Sequence, residues 1–226
     1  MRVVLASNGL GAPGGSETYL LTLGRHLQRL GHEIHMMEGP GGTGELAAAY
    51  GLLAIRSPSA LVEPPDRIIV QDAIVAGEAA SAWPAVPQLF VSHSSIHDLQ
   101  LTSALPSSVE AIVVLNDLTL ERAEAMPATR RIVRLTQPID VGHFTPGPPP
   151  RATPAVLLLF GNNKAAWRYE GLEAACAARH IEVRRAGAIG GEMITDPVAA
   201  LRAASSRRWP ADGPPSCTTG SGPTGG

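Results

Sequence analysis

Residues 2–37 read RVVLASNGLGAPGGSETYLLTLGRHLQRLGHEIHMM, and this stretch decides the fold. Arg2 to Ser7 is a short apolar run that predicts a buried strand. Asn8 to Gly15 is too rich in glycine for a regular element, whereas Ser16 to Leu30 has the apolar period of a helix. One predicted helical face carries four leucines: Leu20, Leu23, Leu27 and Leu30.

The residues after this helix complete a strand–helix–strand unit. Gly31 is placed to end the helix in a left-handed conformation, and Glu33 to Met37 begins a second strand. At the start of such a helix the first backbone N–H groups are free, and the positive end of the helix dipole points into the glycine loop. The sequence therefore predicts a ligand that carries phosphate, such as a nucleotide.

Later apolar runs repeat this alternation. They predict further strands at 52–56, 67–71, 88–92, 109–115 and 131–135. Helices are predicted at 45–50, at 73–82 and after Asn116-Asp117, which is a suitable N-cap pair. Because strands that alternate with helices indicate an α/β fold, we predict a Rossmann-like N-terminal domain with a parallel sheet over residues 1–136.

Composition and charge narrow the classes of function. The 226 residues include 18 Lys and Arg against 20 Asp and Glu, and the net charge of −2 gives no global field that would attract nucleic acid. Cys176 and Cys217 match no metal-ligand spacing, so we predict reduced thiols and no metal site. No signal-peptide pattern and no apolar stretch of about 20 residues occurs, and we predict a cytoplasmic protein.

A segment rich in proline and glycine divides the chain. Residues 137–154 read QPIDVGHFTPGPPPRATP, which is typical of a semi-rigid linker. A new strand is predicted at Val156 to Phe160, followed by a helical pattern and by a strand at Ile181 to Arg185. We therefore predict the start of a second Rossmann-like domain over residues 155–204, which is incomplete because its strand–helix units end there.

The last residues, 205–226, differ in character from the rest. They read SSRRWPADGPPSCTTGSGPTGG and have no apolar period. Two interpretations stay open: a disordered tail, or the frameshifted end of a longer protein encoded by a GC-rich gene. With permitted codons a shifted frame can read LEAMARGRAAVVYDRVGADGW, which has a helix-like start and an apolar run. Resequencing of the gene distinguishes the two.

Several short motifs follow one another in a defined order. Gly14-Gly15-Ser16-Glu17 opens the first helix, Leu30-Gly31-His32-Glu33 closes it, and His93 stands at a strand end. Pro138-Ile139-Asp140 with His143-Phe144-Thr145-Pro146 is similar to an interdomain segment that usually reads N-G-V-D-x-x-x-F-x-P. Over about residues 1–204 the chain resembles the N-terminal half of a nucleotide-sugar glycosyltransferase of the retaining GT-B type, family four. The shifted frame adds E-A-M-A-x-G, which is similar to the helix that grips the donor nucleotide in this family.

The resemblance implies a GT-B-like architecture and a reaction. A sugar would pass from a nucleotide-diphosphate donor to a hydroxyl acceptor with retention of configuration, without a metal or another cofactor. The identities of the sugar, the nucleotide and the acceptor do not follow from the sequence. A lipid acceptor would add peripheral membrane contact.

The resemblance also implies roles for four N-terminal residues. The backbone at Gly11, Gly14 and Gly15 would approach the donor phosphate, and the charge that develops on the leaving diphosphate would be met by the helix N-terminus. His93 would contact the transferred sugar as a catalytic-site residue, by hydrogen bonding and not as a base. The alternatives are an ordinary tight turn for the glycines and a capping or surface group for His93.

Three charged residues are further candidates for substrate binding. Lys164 and Arg168 follow Gly161, where the family commonly has G-R-L-x-x-x-K-G to hold the diphosphate, but here the basic residues are displaced and also fit a solvated helix face. Glu17 lies in the first helical turn, where an acid suits the dipole without any ligand. The family's E-x7-E pair of the donor site is missing, so we expect the chain, as a truncated fragment, to have little or no transferase activity.

Two other classes of function remain open. Gly9 to Gly14 fits the G-x-G-x-x-G pattern of NAD(P)-dependent oxidoreductases, and Glu38 would then reach a ribose, although Pro13 and Gly15 lengthen the loop before the helix. In the other alternative the chain is a non-catalytic domain that binds only the acceptor or a partner. Binding of a nicotinamide cofactor or of a sugar nucleotide discriminates between the enzymatic interpretations.

Overall fold

The protein is described by a computed structural model. Its described residues are 1–10, 14–39, 42, 44–94, 98–100, 104–126, 130–137, 139, 141–142, 145, 156–160 and 171–186. The chain separates into two compact units, Met1–Ile139 and Asp140–Gly226. The finer division into a linker, a partial second domain and a tail stays a prediction.

The first unit contains a seven-stranded sheet. Its strands are β1 (Arg2–Ser7), β2 (Glu33–Glu38), β3 (Leu53–Ile55), β4 (Arg67–Val70), β5 (Gln88–Ser92), β6 (Val109–Val114) and β7 (Arg131–Arg134). Every neighbouring pair is parallel, and the order across the sheet is β3-β2-β1-β4-β5-β6-β7. The chain thus leaves β1 towards β2 on one side and returns to β4 on the other, which creates a topological switch point at β1 and β4. The prediction of an α/β, Rossmann-like fold with a parallel sheet is confirmed.

The sheet is covered by helices on both faces. They are α1 (Gly15–Arg29), α2 (Glu45–Ala49), α3 (Ala73–Ala82) and α4 (Asp117–Glu124), with short 3-10 turns at Pro58–Ala60 and Asp98–Gln100. The predicted N-cap of α4 is confirmed, because Asn116 Oδ1 accepts a hydrogen bond of 2.9 Å from the Thr119 N–H and Thr119 Oγ1 accepts one from the Asn116 N–H.

The two faces of the sheet bury different residues. Val4 and Ala6 point to the face under α3 and α4, together with Ile68, Val70 and Phe90. Residues of opposite parity, such as Val3 and Leu5, pack against Leu20 and Leu21 of α1 and against α2. The strands are apolar on both sides because helices exclude water from both, as expected of a buried parallel sheet.

The details of α1 follow from close packing and from its C-terminal end. A Cβ on Gly24 would lie 2.9 Å from Leu5 Cδ1, so the absence of a side chain there allows the helix to approach β1. Gly31 has a φ of 85°, which confirms the predicted left-handed end of the helix. The prediction that Leu30 shares the buried face is wrong, since Leu30 is 74% exposed. It is the C-cap residue, where the helical period no longer sets the direction of the side chain.

The second unit is described in part. Strands β8 (Val156–Phe160) and β9 (Glu182–Ala186) pair in parallel, and α5 (Leu172–Ala177) lies between them in the chain. Arg185 forms an ion pair of 2.8 Å with Glu173, and Cys176 is a buried free thiol. Cys217 and the tail 205–226 lie outside the described residues.

Candidate functional site

The carboxyl ends of β1 and β4 are joined by Asp72. The Asn8 N–H donates a hydrogen bond of 2.8 Å to Asp72 Oδ2. Asp72 Oδ1 accepts from the N–H groups of Ile74 and Val75 at 3.1 and 3.0 Å, so Asp72 is also the N-cap of α3. The loop after β1 and the start of α3 are therefore held by one carboxylate, which the sequence analysis missed. An acid directly before an alanine-rich helix is the signal that could have found it.

A second polar contact joins the same two strand ends. Gln71 Nε2 donates to Ser7 Oγ at 2.8 Å, and the Gly9 N–H donates to the same hydroxyl at 3.4 Å. Gln71 is 2% exposed, and within the described part of the chain its Oε1 has no hydrogen-bond partner. Ser7 and Gln71 were not predicted as site residues either, although Ser7 ends the apolar strand β1 and Gln71 directly follows the apolar strand β4.

The N-terminus of α1 follows this edge of the sheet. Gly14 is the N-cap residue with extended backbone, and no side chain among the described residues caps it. A Cβ built on Gly15 meets no described atom within 4 Å, so the first turn of the helix is open at that position. Among the described residues the start of α1 is thus bare at Gly15, whereas Gly11 lies outside them, and the phosphate-binding role of Gly11, Gly14 and Gly15 stays a prediction.

The carboxylate of Glu17 turns back over the start of its own helix. Ser16 Oγ donates a hydrogen bond of 2.9 Å to Glu17 Oε1. A Cβ on Gly14 would collide with Glu17 Oε2, and a Cβ on Gly9 would lie 3.6 Å from Oε1. The bare backbone at Gly14 therefore accommodates an intrinsic anion, which the positive end of the helix dipole favours.

His93 follows β5 and faces α1. Its ring packs edge-on against the ring of Tyr19, with the centroids 4.9 Å apart and an interplanar angle of 78°. Burial lowers the pKa of His93 to about 4, so the imidazole is neutral at pH 7. Burial also raises the pKa of Tyr19. His93 Nε2 is shielded from solvent and finds no hydrogen-bond partner in the described residues.

The structure thus brings some of the predicted site residues together, and it leaves the others untested. His93 is connected through Tyr19 to α1, whose N-cap is Gly14 and whose first turn contains Glu17; Tyr19 was not predicted as a site residue. Lys164 and Arg168 lie outside the described residues. The described residues contain no group of three or more His, Cys, Asp or Glu side chains that could hold a metal ion. None of their helices is both long enough and apolar enough to cross a membrane.

Glu38 is used within the fold. It is 4% exposed, and its Oε2 accepts a hydrogen bond of 2.8 Å from the N–H of Gly44, the N-cap residue of α2. A Cβ on Gly42 would collide with Glu38 Oε2, so the backbone at Gly42 lies against the carboxylate. Glu38 Oε2 is thus used within the fold, whereas Oε1 is buried and has no hydrogen-bond partner among the described residues.

Several solved structures are similar to this chain. HepE of Anabaena, in a crystal structure with UDP and glucose, is 12% identical with a TM-score of 0.60, and the match covers 92% of this chain and 66% of HepE. A glycosyltransferase from Rickettsia africae is 15% identical with a TM-score of 0.58, over 84% of this chain and 61% of that one. The glycotransferase of kitacinnamycin is 12% identical with a TM-score of 0.52, over 86% and 69%.

At these identities the likeness shows the fold alone, and it is the fold of glycosyltransferases. The chain spans less than two thirds of the length of the first two structures. Neither the protein-family models nor the curated proteins match this sequence.

Proposed function

We propose that this chain belongs to a glycosyltransferase of the retaining GT-B type and comprises its acceptor-side domain, residues 1–136, and part of its donor-side domain, residues 155–204. The reaction would transfer a sugar from a nucleotide-diphosphate donor to a hydroxyl acceptor. One observation carries the proposal: α1, whose N-terminus at Gly14 is capped by no described side chain, is packed through Tyr19 against the neutral His93 at the carboxyl edge of the sheet. Ligands of open α/β sheets bind at this edge.

The two features suit two parts of a sugar nucleotide. The leaving diphosphate gains negative charge, which the free N–H groups and dipole of α1 would stabilise near Gly14 and Gly15. His93 has a pKa of about 4 and is a poor base at neutral pH, so its proposed role is a hydrogen bond to the sugar. From the family resemblance, Lys164 and Arg168 are proposed to bind a diphosphate.

The comparisons support the choice of the first ligands. HepE was crystallised with UDP and glucose, so UDP and UDP-glucose are the appropriate first probes for this chain. For the oxidoreductase alternative, one oxygen of the Glu38 carboxylate accepts from the Gly44 N–H and the other has no partner among the described residues, so nicotinamide cofactors are tested beside the sugar nucleotides. The proposal requires neither a nicotinamide cofactor nor a metal.

The proposal is tested by calorimetric titration of the whole chain with UDP, UDP-glucose, NADH and NADPH. We expect binding of UDP and UDP-glucose and none of the nicotinamide cofactors. Saturable binding of NADH or NADPH without binding of UDP or UDP-glucose would contradict the proposal and favour the oxidoreductase.

A second measurement separates binding from catalysis. Release of UDP from UDP-glucose is followed with a panel of hydroxyl acceptors and with water alone. Binding without release in every reaction identifies a domain that retains the ligand site but lacks the groups for transfer.

A further inference from the structure

We propose that Gln71 is a further ligand-binding residue, which accepts a hydrogen bond from a hydroxyl of an uncharged, sugar-like group at the carboxyl edge of β4 and β5. The inference rests on the proposed function and adds a residue that determines which ligand group lies beside His93.

The Gln71 amide is held in one orientation by its hydrogen bond to Ser7. One end of the amide is held by the Ser7 hydroxyl at 2.8 Å, and that hydroxyl is also contacted by the Gly9 N–H. This bond fixes the direction of the other end, Oε1, which has no partner among the residues described. A buried acceptor without a partner is unfavourable, and such groups in folded proteins call for an explanation, such as a ligand.

The position of Gln71 distinguishes it from another buried glutamine. Gln88 also has an Oε1 without a described partner, so an unpaired amide oxygen alone does not indicate a ligand. Gln88 begins β5 at the amino edge of the sheet, where its amide donates to Ala76 O and Ser108 Oγ. Gln71 follows β4 at the carboxyl edge, where parallel α/β sheets bind ligands.

Sheet register places Gln71 and His93 on the same face. Val70 pairs with Phe90, so Gln71 is level with Val91, which points towards α1. His93 lies two residues beyond Val91 and also faces α1, as its contact with Tyr19 shows. From strand spacing and rise, the two Cα atoms are roughly 8 Å apart, a distance that one small polyhydroxylated ligand can bridge.

The chemistry of these atoms selects a neutral ligand. An amide oxygen offers only lone pairs, and the neutral His93 imidazole carries no charge to attract an anion. A ligand hydroxyl can donate a hydrogen bond to Gln71 Oε1, and a hydroxyl can also form a hydrogen bond with the His93 imidazole. A phosphate oxygen would instead face the lone pairs of Gln71. Gln71 Oε1 and His93 Nε2 are both shielded from solvent, so a ligand reaches them only after local rearrangement. The quantity to measure is therefore the equilibrium affinity.

The test compares Gln71→Leu with the matched variant Gln88→Leu in the full chain. Each replaces a buried amide by an apolar group of similar size, and thermal melting establishes whether each folds. Affinities are then measured for UDP, UDP-glucose and methyl glucoside. We expect Gln71→Leu to weaken a glucose-bearing ligand roughly tenfold while leaving UDP unchanged, and Gln88→Leu to weaken neither.

The ligands distinguish the source of the hydroxyl. If Gln71→Leu loses affinity for UDP-glucose alone, Gln71 contacts the donor sugar. If it loses affinity for methyl glucoside alone, Gln71 contacts the acceptor. Both results support the proposal. Equal affinities of wild type and Gln71→Leu for both ligands, or a wild type that binds neither, would overturn it. If Gln71→Leu does not fold, Ser7→Ala, which releases the amide but keeps Gln71, carries the same comparison.

The failures of the two proposals are separable. A wild type that binds methyl glucoside but neither UDP nor UDP-glucose would contradict the proposed function. The role of Gln71 would then be decided by comparing the affinities of wild type and Gln71→Leu for methyl glucoside. A wild type that binds UDP and UDP-glucose, with Gln71→Leu showing the wild-type affinities for both and for methyl glucoside, would contradict only the role of Gln71.

Discussion

The ring of Tyr19 packs edge-on against the imidazole of His93, with their centroids 4.9 Å apart. Tyr19 lies on α1, just after the turn that contains Glu17, whereas His93 follows β5. The contact therefore fixes the end of a strand relative to the helix whose N-terminus is the proposed phosphate site. It also removes the imidazole from water, with consequences for its protonation.

The first prediction is that His93 makes stability depend on pH. Its pKa falls from 6.5 to about 4 on folding, so between these values the unfolded chain binds a proton that the folded chain does not. The free energy of unfolding should therefore rise with pH through this window, by about 3 kcal/mol in total. Above the window the rise due to His93 is complete. Urea unfolding of wild type and His93→Gln across the window measures the difference, and identical slopes would show that His93 is not responsible.

The second prediction concerns Gly15. A methyl group there meets no described atom within 4 Å, so Gly15→Ala should fold with unchanged or slightly higher stability, by up to about 1 kcal/mol. The same methyl group would keep a phosphate from the first helical turn and weaken UDP roughly tenfold. Gly77→Ala on α3 is the matched control, because a Cβ there also contacts nothing described. Equal UDP affinity of the two variants would argue against the phosphate site.

The third prediction is that Glu17 competes with a bound diphosphate. Its carboxylate lies over Gly14, at the end of the helix that is proposed to attract phosphate. Glu17→Gln should strengthen UDP binding roughly fivefold at low salt, with less effect at high salt, and destabilise the chain by about 0.5 kcal/mol. Glu78→Gln makes the same charge change on α3 and should leave UDP affinity unaltered. Weaker UDP binding by Glu17→Gln would indicate that Glu17 contacts the ligand directly.

The fourth prediction separates the two roles of Asp72. Asp72→Ala removes the N-cap of α3 and the acceptor of the Asn8 N–H, and it should lower the free energy of unfolding by about 2 kcal/mol or more. Asp72→Asn keeps an oxygen for the cap but not a second acceptor for Asn8, so an intermediate loss is expected. Denaturant unfolding measures both variants. Similar losses for the two would show that the bond to Asn8 dominates.

Much of the fold was predictable from local pattern. The bounds of β1, β5 and α3 agree with the sequence prediction, and the other described strands of the sheet differ at their ends. Helix α1 begins at Gly15, one residue before the predicted start. These differences are small because apolar period and glycine position act within a few residues of the chain.

The candidate site was less accessible to prediction. His93 and the start of α1 were identified from their places in the strand–helix order and from family resemblance, and their proposed roles stay predictions. Ser7 and Gln71 are 64 residues apart, as are Asn8 and Asp72, and neither pair has a local signal that joins its members. The fold brings them together because β1 and β4 are neighbours in the sheet, and a sequence pattern does not specify which strands pair.

The sequence by itself determined the order of strands and helices and the left-handed glycine at position 31, because each follows from backbone preferences and burial within a short segment. Only the tertiary structure decided that Tyr19 shields His93, that Glu17 turns back over Gly14, and that Gln71 is held by Ser7. Those relationships depend on strand order, register and side-chain packing. Such quantities are set when distant segments exclude water together, and no single segment encodes them.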